Sequence, residues 1–169
     1  MAILDIVKFP ETSLRLKAKA VQQFDKSLQV LIDDMFETLR SAPGVGLAAP
    51  QVGESLRLVV VEYTDDENEN AKPKAYVLVN PEIVKTSAET VTDVEACLSV
   101  PGLAGEVERF EAVTVKAKNR HGKPIKINAE GWLARIFQHE IDHLDGVLYV
   151  DRATNVFQPS LEEMEQIKD

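Results

Sequence analysis

The sequence is short of cysteine, of basic residues and of long apolar runs, and each shortage excludes a class of protein. Its single cysteine, Cys97, excludes an internal disulfide, a multi-cysteine zinc finger and the zinc deaminase signature with its paired cysteines. Its net charge of −9 argues against direct nucleic-acid binding, because phosphate backbones favour lysine and arginine. Its apolar runs fall short of the roughly 20 residues that a membrane-spanning helix needs, so no membrane association is expected.

The start of the chain lacks a basic stretch followed by an apolar one, which is the pattern of a secretory signal. A cytoplasmic location is therefore expected, and the alternative is a mature organelle form whose transit peptide has been removed. The length of 169 residues suits one domain with a single core over 1–169, in which residues 152–169 are expected to form a peripheral tail.

Two helices are predicted from apolar residues at helical spacing. The first covers about 26–40, with Asp25 as its N-cap and with Pro43 and Gly44 after its end. The second covers about 130–144. A loose third helix is expected over 161–168, within the tail.

Segments rich in valine, leucine and tyrosine and bounded by turn residues predict strands. An acidic stretch over 65–70 is expected to join two of them as a surface loop. Strands grouped before a helix indicate an α+β fold, with the second helix laid against antiparallel sheets. The predicted strands cover 57–63, 75–80, 89–95, 112–118, 125–127 and 147–150.

The second predicted helix contains two histidines that flank a glutamate, His139-Glu140-Ile141-Asp142-His143. Residues four apart lie on the same face of a helix, so both imidazoles can reach one cation. Glu140 is displaced by about 100° around the axis, so it can stand beside a metal ion as a general base without binding it. The alternative is a pair of surface histidines on an amphipathic helix. The apolar residues before the motif favour a buried face, on which polar groups need partners.

Two histidines leave a divalent metal ion under-coordinated, because catalytic sites of this kind use three protein ligands and one water. A glutamate, an aspartate, a histidine or a cysteine can supply the third. His121 lies in a predicted turn and is expected to be exposed and inert. Cys97 is better placed, because it follows a predicted strand, and functional side chains concentrate at strand ends. Its alternative role is that of a small buried apolar residue.

Three segments, in this order, resemble the peptide deformylase family: GVGLAAPQ at 44–51, EACLS at 95–99 and QHEIDH at 138–143. The similarity extends from about residue 4 to residue 151. The resemblance implies an α+β fold in which antiparallel β-sheets surround a central metal-bearing helix that carries the HExxH motif. It also implies hydrolytic removal of the formyl group from the N-formylmethionine of nascent, ribosome-associated polypeptides.

The resemblance assigns the metal to Cys97, His139 and His143. One thiolate and two imidazoles suit Fe(II), which the family often uses and which is the expected native metal, and also zinc, nickel or cobalt. Glu140 is expected to take a proton from the attacking water and to pass it to the leaving amine. The side-chain amide of Gln51 and the backbone N–H of Leu98 are expected to stabilise the charge that develops on the formyl oxygen.

Substrate contacts are expected from the same segments. Gly44 and Gly46 let the backbone approach the substrate, although both can equally be simple turn glycines. Val45, Trp132 and Ile136 are expected to line an apolar pocket for the methionine side chain, and their alternative is ordinary core.

Ala96 replaces the glycine that the family usually has beside the substrate backbone. Activity is expected to survive this change. A backbone at positive φ would cost Ala96 about 1 kcal/mol and would tilt Cys97. The resemblance also makes Glu95 a candidate acceptor for the N–H of a ligand histidine, and it pairs Asp142 with Arg109 in a structural ion pair.

Two rival functions share parts of this pattern. A zinc endopeptidase with the same helical motif needs a third ligand downstream, where only Glu162, Glu163 and Glu165 in the tail offer one. A binding module with a structural metal needs four protein ligands, whereas the sequence offers three. Docking of the acidic C-terminal segment onto ribosomal RNA is not expected.

Overall fold

The computed structural model describes residues 2–42, 44–64 and 72–167, apart from the side chain of Glu165. The predicted surface loop over 65–70, Pro43 and the last residue of the predicted tail helix lie outside these ranges. Eight strands are present within them: β1 Gly46–Ala48, β2 Leu58–Tyr63, β3 Lys74–Thr86, β4 Thr90–Cys97, β5 Val100–Phe110, β6 Ala112–Lys118, β7 Pro124–Glu130 and β8 Asn155–Phe157. The helices are α1 Lys26–Ser41, α2 Gly131–Leu144, α3 Tyr149–Arg152 and α4 Leu161–Gln166, with 3₁₀ turns at Thr12–Arg15 and Ala49–Val52.

The strands form two antiparallel sheets, which confirms the predicted α+β class. The larger sheet has the order β1-β2-β3-β6-β7, and the smaller has the order β4-β5-β8. Helix α2 contacts β1, β2, β6 and β7 of the larger sheet and also β5 of the smaller one. None of the described helices is both long enough and apolar enough to cross a membrane.

Strand β2 shows why the larger sheet lies between two helices. Its residues Leu58 to Val61 are all fully buried, because successive side chains point to opposite faces and a helix covers each face. Leu58 and Val60 pack with the apolar stripe of α1, whereas Val59 and Val61 pack with α2. The N-cap prediction for α1 is confirmed, since the Asp25 side chain accepts a hydrogen bond of 3.0 Å from the backbone of Leu28.

Strand β3 continues beyond the predicted end at residue 80. Asn80 has a positive φ of 52°, and the pairing of β3 with β6 shifts its register between Val79 and Glu82. The Asn80 side chain bonds both the N–H and the carbonyl of Val21, which fixes the irregularity in place. The bulge interrupts the alternation of buried and exposed residues along β3, and this interruption made Asn80 look like a strand end in the sequence.

The prediction of a strand over 147–150 is wrong, because these residues lead into helix α3. The side chain of Asp151 accepts a 2.9 Å hydrogen bond from the N–H of Leu148, which closes a helical turn. Leu148 and Tyr149 are buried beside Cys97 under the smaller sheet, so their apolar character reflects core packing. Strand β5, the centre of the smaller sheet, has no counterpart among the predicted strands.

The N-terminal segment runs across both sheets and holds two segments of the candidate site. The N–H of Val7 donates to the carbonyl of Gln51, and the N–H of Phe9 donates to the carbonyl of Ser99, both over 2.7 Å. Residues 155–157 of the predicted tail join the smaller sheet as β8, and α4 follows them.

Candidate metal centre and active site

The structure brings together the three residues that were predicted to bind metal. The Cys97 sulfur and one nitrogen from each of His139 and His143 lie within 4.8 Å of one another. The distance from Cys97 Sγ to His143 Nε2 is 3.4 Å, and all three side chains are buried. Three buried ligand atoms therefore converge on one small volume.

Two different elements supply these atoms. His139 and His143 are one turn apart on α2, and their ring centroids are separated by 5.2 Å. Cys97 ends β4, and the pairing of β4 with β5 shifts its register between Glu95 and Cys97. Such an irregularity redirects side chains at the end of a strand. The site therefore depends on the separation between a helix and the smaller sheet.

Glu95 orients His139, as the sequence predicted for an acceptor behind a ligand histidine. It is fully buried, and its Oε1 lies 2.8 Å from His139 Nδ1. This contact leaves the other ring nitrogen, Nε2, to face Cys97. Burial raises the pKa of Glu95, but hydrogen bonds and charges from His139 and Arg109 outweigh burial and hold that pKa well below its ordinary value. Glu95 is therefore a carboxylate at neutral pH.

The two histidines have opposite electrostatic surroundings. Burial lowers the pKa of His139, but the neighbouring Glu140, Cys97 and Glu95 reverse this effect and raise that pKa well above 6.5. Burial and the adjacent His139 lower the pKa of His143 well below 6.5. The cluster thus stabilises one positive charge between its acidic groups. A thiolate with two imidazoles is a suitable donor set for a first-row transition metal.

Gln51 contacts the candidate metal ligand directly. Its Oε1 accepts a 2.9 Å hydrogen bond from the N–H of Ala48, which fixes the amide. Its Nε2 lies 3.1 Å from Ser99 Oγ and 3.5 Å from Cys97 Sγ. Ser99 ends the EACLS segment, but the sequence predicted no role for it, although its position two residues after Cys97 could have indicated one.

Gly44 and Gly46 are required for close packing around Glu140 and Leu98. A methyl group at Gly46 would lie 2.6 Å from Glu140 Oε2, and one at Gly44 would lie 2.8 Å from Leu98 Cδ1. Among the strands that the structure describes, β1 is an edge strand of the larger sheet, and Gly46 places this edge strand beside Glu140.

The remaining predicted site residues occupy distinct positions. Ile136 is buried, and Val45 packs against the same apolar cluster. Trp132 is half-buried and lies below the guanidinium of Arg135, with 5.7 Å from Cζ to the ring centroid. Ala96 lies in the extended strand β4. In the described ranges Asn80 is the one non-glycine residue with positive φ, so Ala96 has none of the backbone strain that a positive φ would cause.

Several other expectations can be checked. The ion pair between Arg109 and Asp142 is confirmed at 2.6 Å, and His121 is exposed as predicted. Glu162 and Glu163, which an endopeptidase site would need, are exposed on α4 and do not belong to the described metal-binding group.

Two further residues beside the site were missed. The ring of Tyr149 is stacked with that of His139 at a centroid distance of 6.0 Å. Arg135 donates a 2.5 Å hydrogen bond to Glu95. Arg135 precedes His139 by one helical turn, and this spacing could have placed it on the same face.

A mixed α+β fold in which three buried ligand atoms stand beside a carboxylate is the arrangement of a metal-dependent hydrolase. The family model for polypeptide deformylases matches residues 3–158 of this chain. The chain therefore belongs to the polypeptide deformylase family, which confirms the resemblance found in the sequence. Its relatives carry the name of a hydrolase that acts on formylated polypeptides.

Relatives and solved structures agree with the family model. A peptide deformylase of Symbiobacterium thermophilum is 56% identical over 156 residues, which are 92% of this chain and 69% of that protein. The crystal structure of a Legionella pneumophila peptide deformylase has a TM-score of 0.82 and 50% identity, with 90% of this chain and 87% of that chain covered. A Thermotoga maritima peptide deformylase has a TM-score of 0.83 and 40% identity, with 92% and 100% covered.

Proposed function

We propose that this protein removes the formyl group from the N-formylmethionine of newly synthesised polypeptides by metal-dependent hydrolysis. The observation that carries the proposal is the convergence of Cys97 Sγ with nitrogens of His139 and His143 within 4.8 Å, in a buried site. The family membership supports the same reaction.

The metal ion would be held by Cys97, His139 and His143, so that α2 is the central metal-bearing helix of the fold and its HExxH motif is functional. Fe(II) is the proposed native metal, and zinc, nickel or cobalt suit the same donors. When bound, a divalent ion at this position supplies Lewis acidity, which polarises the formyl carbonyl and makes water acidic. The other steps depend on the residues of the chain.

Glu140 is the proposed proton carrier. It follows His139 directly on α2, is 5% exposed, and approaches the β1 backbone at Gly46. The Glu140 carboxylate takes a proton from the attacking water and then donates it to the departing amine nitrogen, so no proton is lost or gained overall. A buried carboxylate beside the proposed substrate groove is well placed for both transfers.

Gln51 and Leu98 are the proposed donors to the formyl oxygen. The amide of Gln51 already uses its two N–H groups on Ser99 Oγ and Cys97 Sγ. Sulfur is the weaker of these two acceptors, so we expect the N–H that contacts Cys97 Sγ to move to the formyl oxygen when substrate binds. Leu98 would contribute its backbone N–H from the turn after Cys97.

The substrate is proposed to lie along the free edge of β1. The backbone of Gly44, Val45 and Gly46 would pair with the extended peptide, as peptides commonly add to exposed sheet edges. Val45 and Ile136 would contact the methionine side chain, with Trp132 further along α2. Glu95 and Ala96 would border the groove from β4. In support, a class I type b relative from Acinetobacter baumannii, 40% identical with a TM-score of 0.82, has been crystallised with Met-Ala-Ser bound.

The same function suggests the setting of the protein. Its proposed substrates are nascent chains at the ribosome, in the cytoplasm or in an organelle. The net charge of −9 opposes direct contact with RNA, so access to the nascent chain without nucleic-acid binding is proposed. One catalytic domain over 1–169 with a peripheral tail is sufficient for this role.

Release of formate from formyl-Met-Ala by anaerobically purified protein, with elemental analysis of the same sample, tests the proposal. Wild-type protein should bind about one equivalent of metal and release formate, whereas an internal peptide should remain uncut. Glu140→Ala should keep the metal and lose activity by at least about 10²-fold, the lower end of what general acid–base catalysis contributes. Full activity of that variant, or cleavage of the internal peptide, would refute this mechanism.

A further inference from the structure

Arg135 lies in the gap between α2 and the smaller sheet, which is the gap that the candidate metal ligands also span. It is 4% exposed, although it carries a permanent charge. A buried charge needs several partners, and Arg135 has them on two different strands. These partners hold the Arg135 guanidinium in one defined position between α2 and the smaller sheet.

The hydrogen-bond acceptors of Arg135 in the described residues lie on the sheet side of the gap, while Trp132 of α2 lies against its guanidinium. Nη1 donates to Glu95 Oε2 over 2.5 Å and to the carbonyl of Val107 over 2.9 Å. Nη2 donates to the carbonyl of Val91 over 2.6 Å. One side chain of α2 thus donates hydrogen bonds to β4 at two positions and to β5 at one.

The carboxylate of Glu95 is saturated by this arrangement. Oε1 lies within 2.9 Å of His139 Nδ1 and Arg109 Nη2, and Oε2 lies within 2.9 Å of Arg109 Nε and Arg135 Nη1. A carboxylate offers about four acceptor positions, so any rotation of Glu95 would lose at least one bond. Arg109 belongs to β5 and also bonds Asp142 on α2, so it joins the smaller sheet to the helix from the strand side. Arg135 joins them from the helix side, through Glu95 and two strand carbonyls.

We propose that Arg135 is a positioning residue for metal binding, because its bonds to Glu95, Val91 and Val107 set the helix-to-sheet distance at which Cys97 meets His139 and His143. The inference rests on the metal site of the proposed function. Arg135 lies one turn before His139 on α2, and both side chains reach the same carboxylate. A change in the gap would separate a sulfur on β4 from imidazoles on α2.

The test is a titration of metal-free protein with Co(II), followed by its visible absorption, which needs no substrate. Arg135→Met should weaken Co(II) binding by about 10- to 100-fold, the usual effect of losing a residue that supports metal ligands, and should alter the ligand-field bands. Arg135→Lys keeps the charge but cannot reach three acceptors from one nitrogen, so it should recover only part of the affinity. Arg120→Met, which removes an ion pair with Asp33 away from the site, is the matched control.

A double-mutant cycle with Glu95→Gln separates positioning from simple stabilisation. If Arg135 acts through Glu95, the two losses of metal affinity should be clearly less than additive. Additive losses, or a folded Arg135→Met protein with an affinity within about twofold of wild type, would overturn the proposal. If Arg135→Met does not fold, Arg135→Lys decides, and an unchanged affinity and spectrum overturns the proposal. Wild-type protein that binds Co(II) but releases no formate would instead refute the proposed function alone.

Discussion

The two sides of helix α2 are stabilised by different kinds of interaction. Towards the larger sheet, α2 presents Phe137, Ile141 and Leu144, which pack against buried valines and alanines. Towards the smaller sheet, it presents Arg135 and His139, which bond to the buried carboxylate of Glu95. The same helix therefore has an apolar side and a charged side.

The difference between these sides separates the stability of the fold from the geometry of the site. Apolar packing is non-directional, so several side chains of similar volume can hold a helix on a sheet. Charged hydrogen bonds are directional, and they fix the rotation of a ring or a carboxylate. The larger sheet thus supports α2, while the smaller sheet determines where its histidines point.

The largest effect is expected from Glu95→Ala on the charged side. The substitution leaves the guanidinium groups of Arg109 and Arg135 buried without their shared carboxylate, so the free energy of unfolding should fall by about 3–5 kcal/mol. Denaturant unfolding of the metal-free protein measures this loss. Glu95→Gln, which keeps the shape and one acceptor oxygen, should lose clearly less. A loss below about 1 kcal/mol for Glu95→Ala would show that the network contributes little to stability.

On the apolar side, Leu78→Ala removes a fully buried side chain and leaves a cavity in its place. The free energy of unfolding should therefore fall by about 3 kcal/mol. The activity per folded molecule and the metal affinity should stay near wild type. Thermal unfolding and a metal titration on the same sample check both points. Val30→Ala, at a half-exposed position of α1, is the control and should change stability much less. Reduced metal affinity in Leu78→Ala would contradict the division between the two sides.

The smallest effect is expected where β1 meets Glu140. A methyl group at Gly46 must displace the Glu140 carboxylate, at a cost of about 1–3 kcal/mol, so kcat/KM of Gly46→Ala should fall by roughly 10- to 100-fold. A methyl group at Gly44 would meet the ends of the flexible Leu98 and Leu39 side chains and not Glu140, so kcat/KM of Gly44→Ala should fall less. Steady-state kinetics on formyl-Met-Ala compare the two variants. Equal losses of kcat/KM in the two variants would mean that Gly46 is not needed to keep the Glu140 carboxylate in its position.

The apolar side of the molecule was predictable from the sequence, because its signal is periodic and local. The first helix was predicted over 26–40 and is observed at Lys26–Ser41, and β6 matches its predicted bounds.

Strand β5 was missed because Pro101, Gly102 and Gly105 resemble a turn, although the strand is held by its neighbours on both sides. Pairing between distant segments overrides local preference there.

The charged side was predictable only in part. The spacing of His139 and His143 indicated two candidate ligands on one helical face, and the strand end at Cys97 favoured it as the third. The resemblance to the peptide deformylase family, rather than the spacing alone, completed the candidate ligand set. No role was predicted for Arg135 or Ser99, since an arginine on an amphipathic helix and a serine in a turn look like surface residues in a sequence. Their burial follows from the approach of the smaller sheet to α2, which no local pattern encodes.

The hydrogen bonds of Val7 and Phe9 have a consequence for the order in which the protein is made. The segment around Val7 and Phe9 closes over Gln51 and Ser99, whereas His143 and Tyr149 are synthesised more than 130 residues after it. The candidate site therefore combines residues that are synthesised early with residues that are synthesised late. It stays incomplete in a nascent chain until α3 has emerged from the ribosome. Metal uptake at this candidate site, as proposed above, should therefore follow the release of α3 from the exit tunnel.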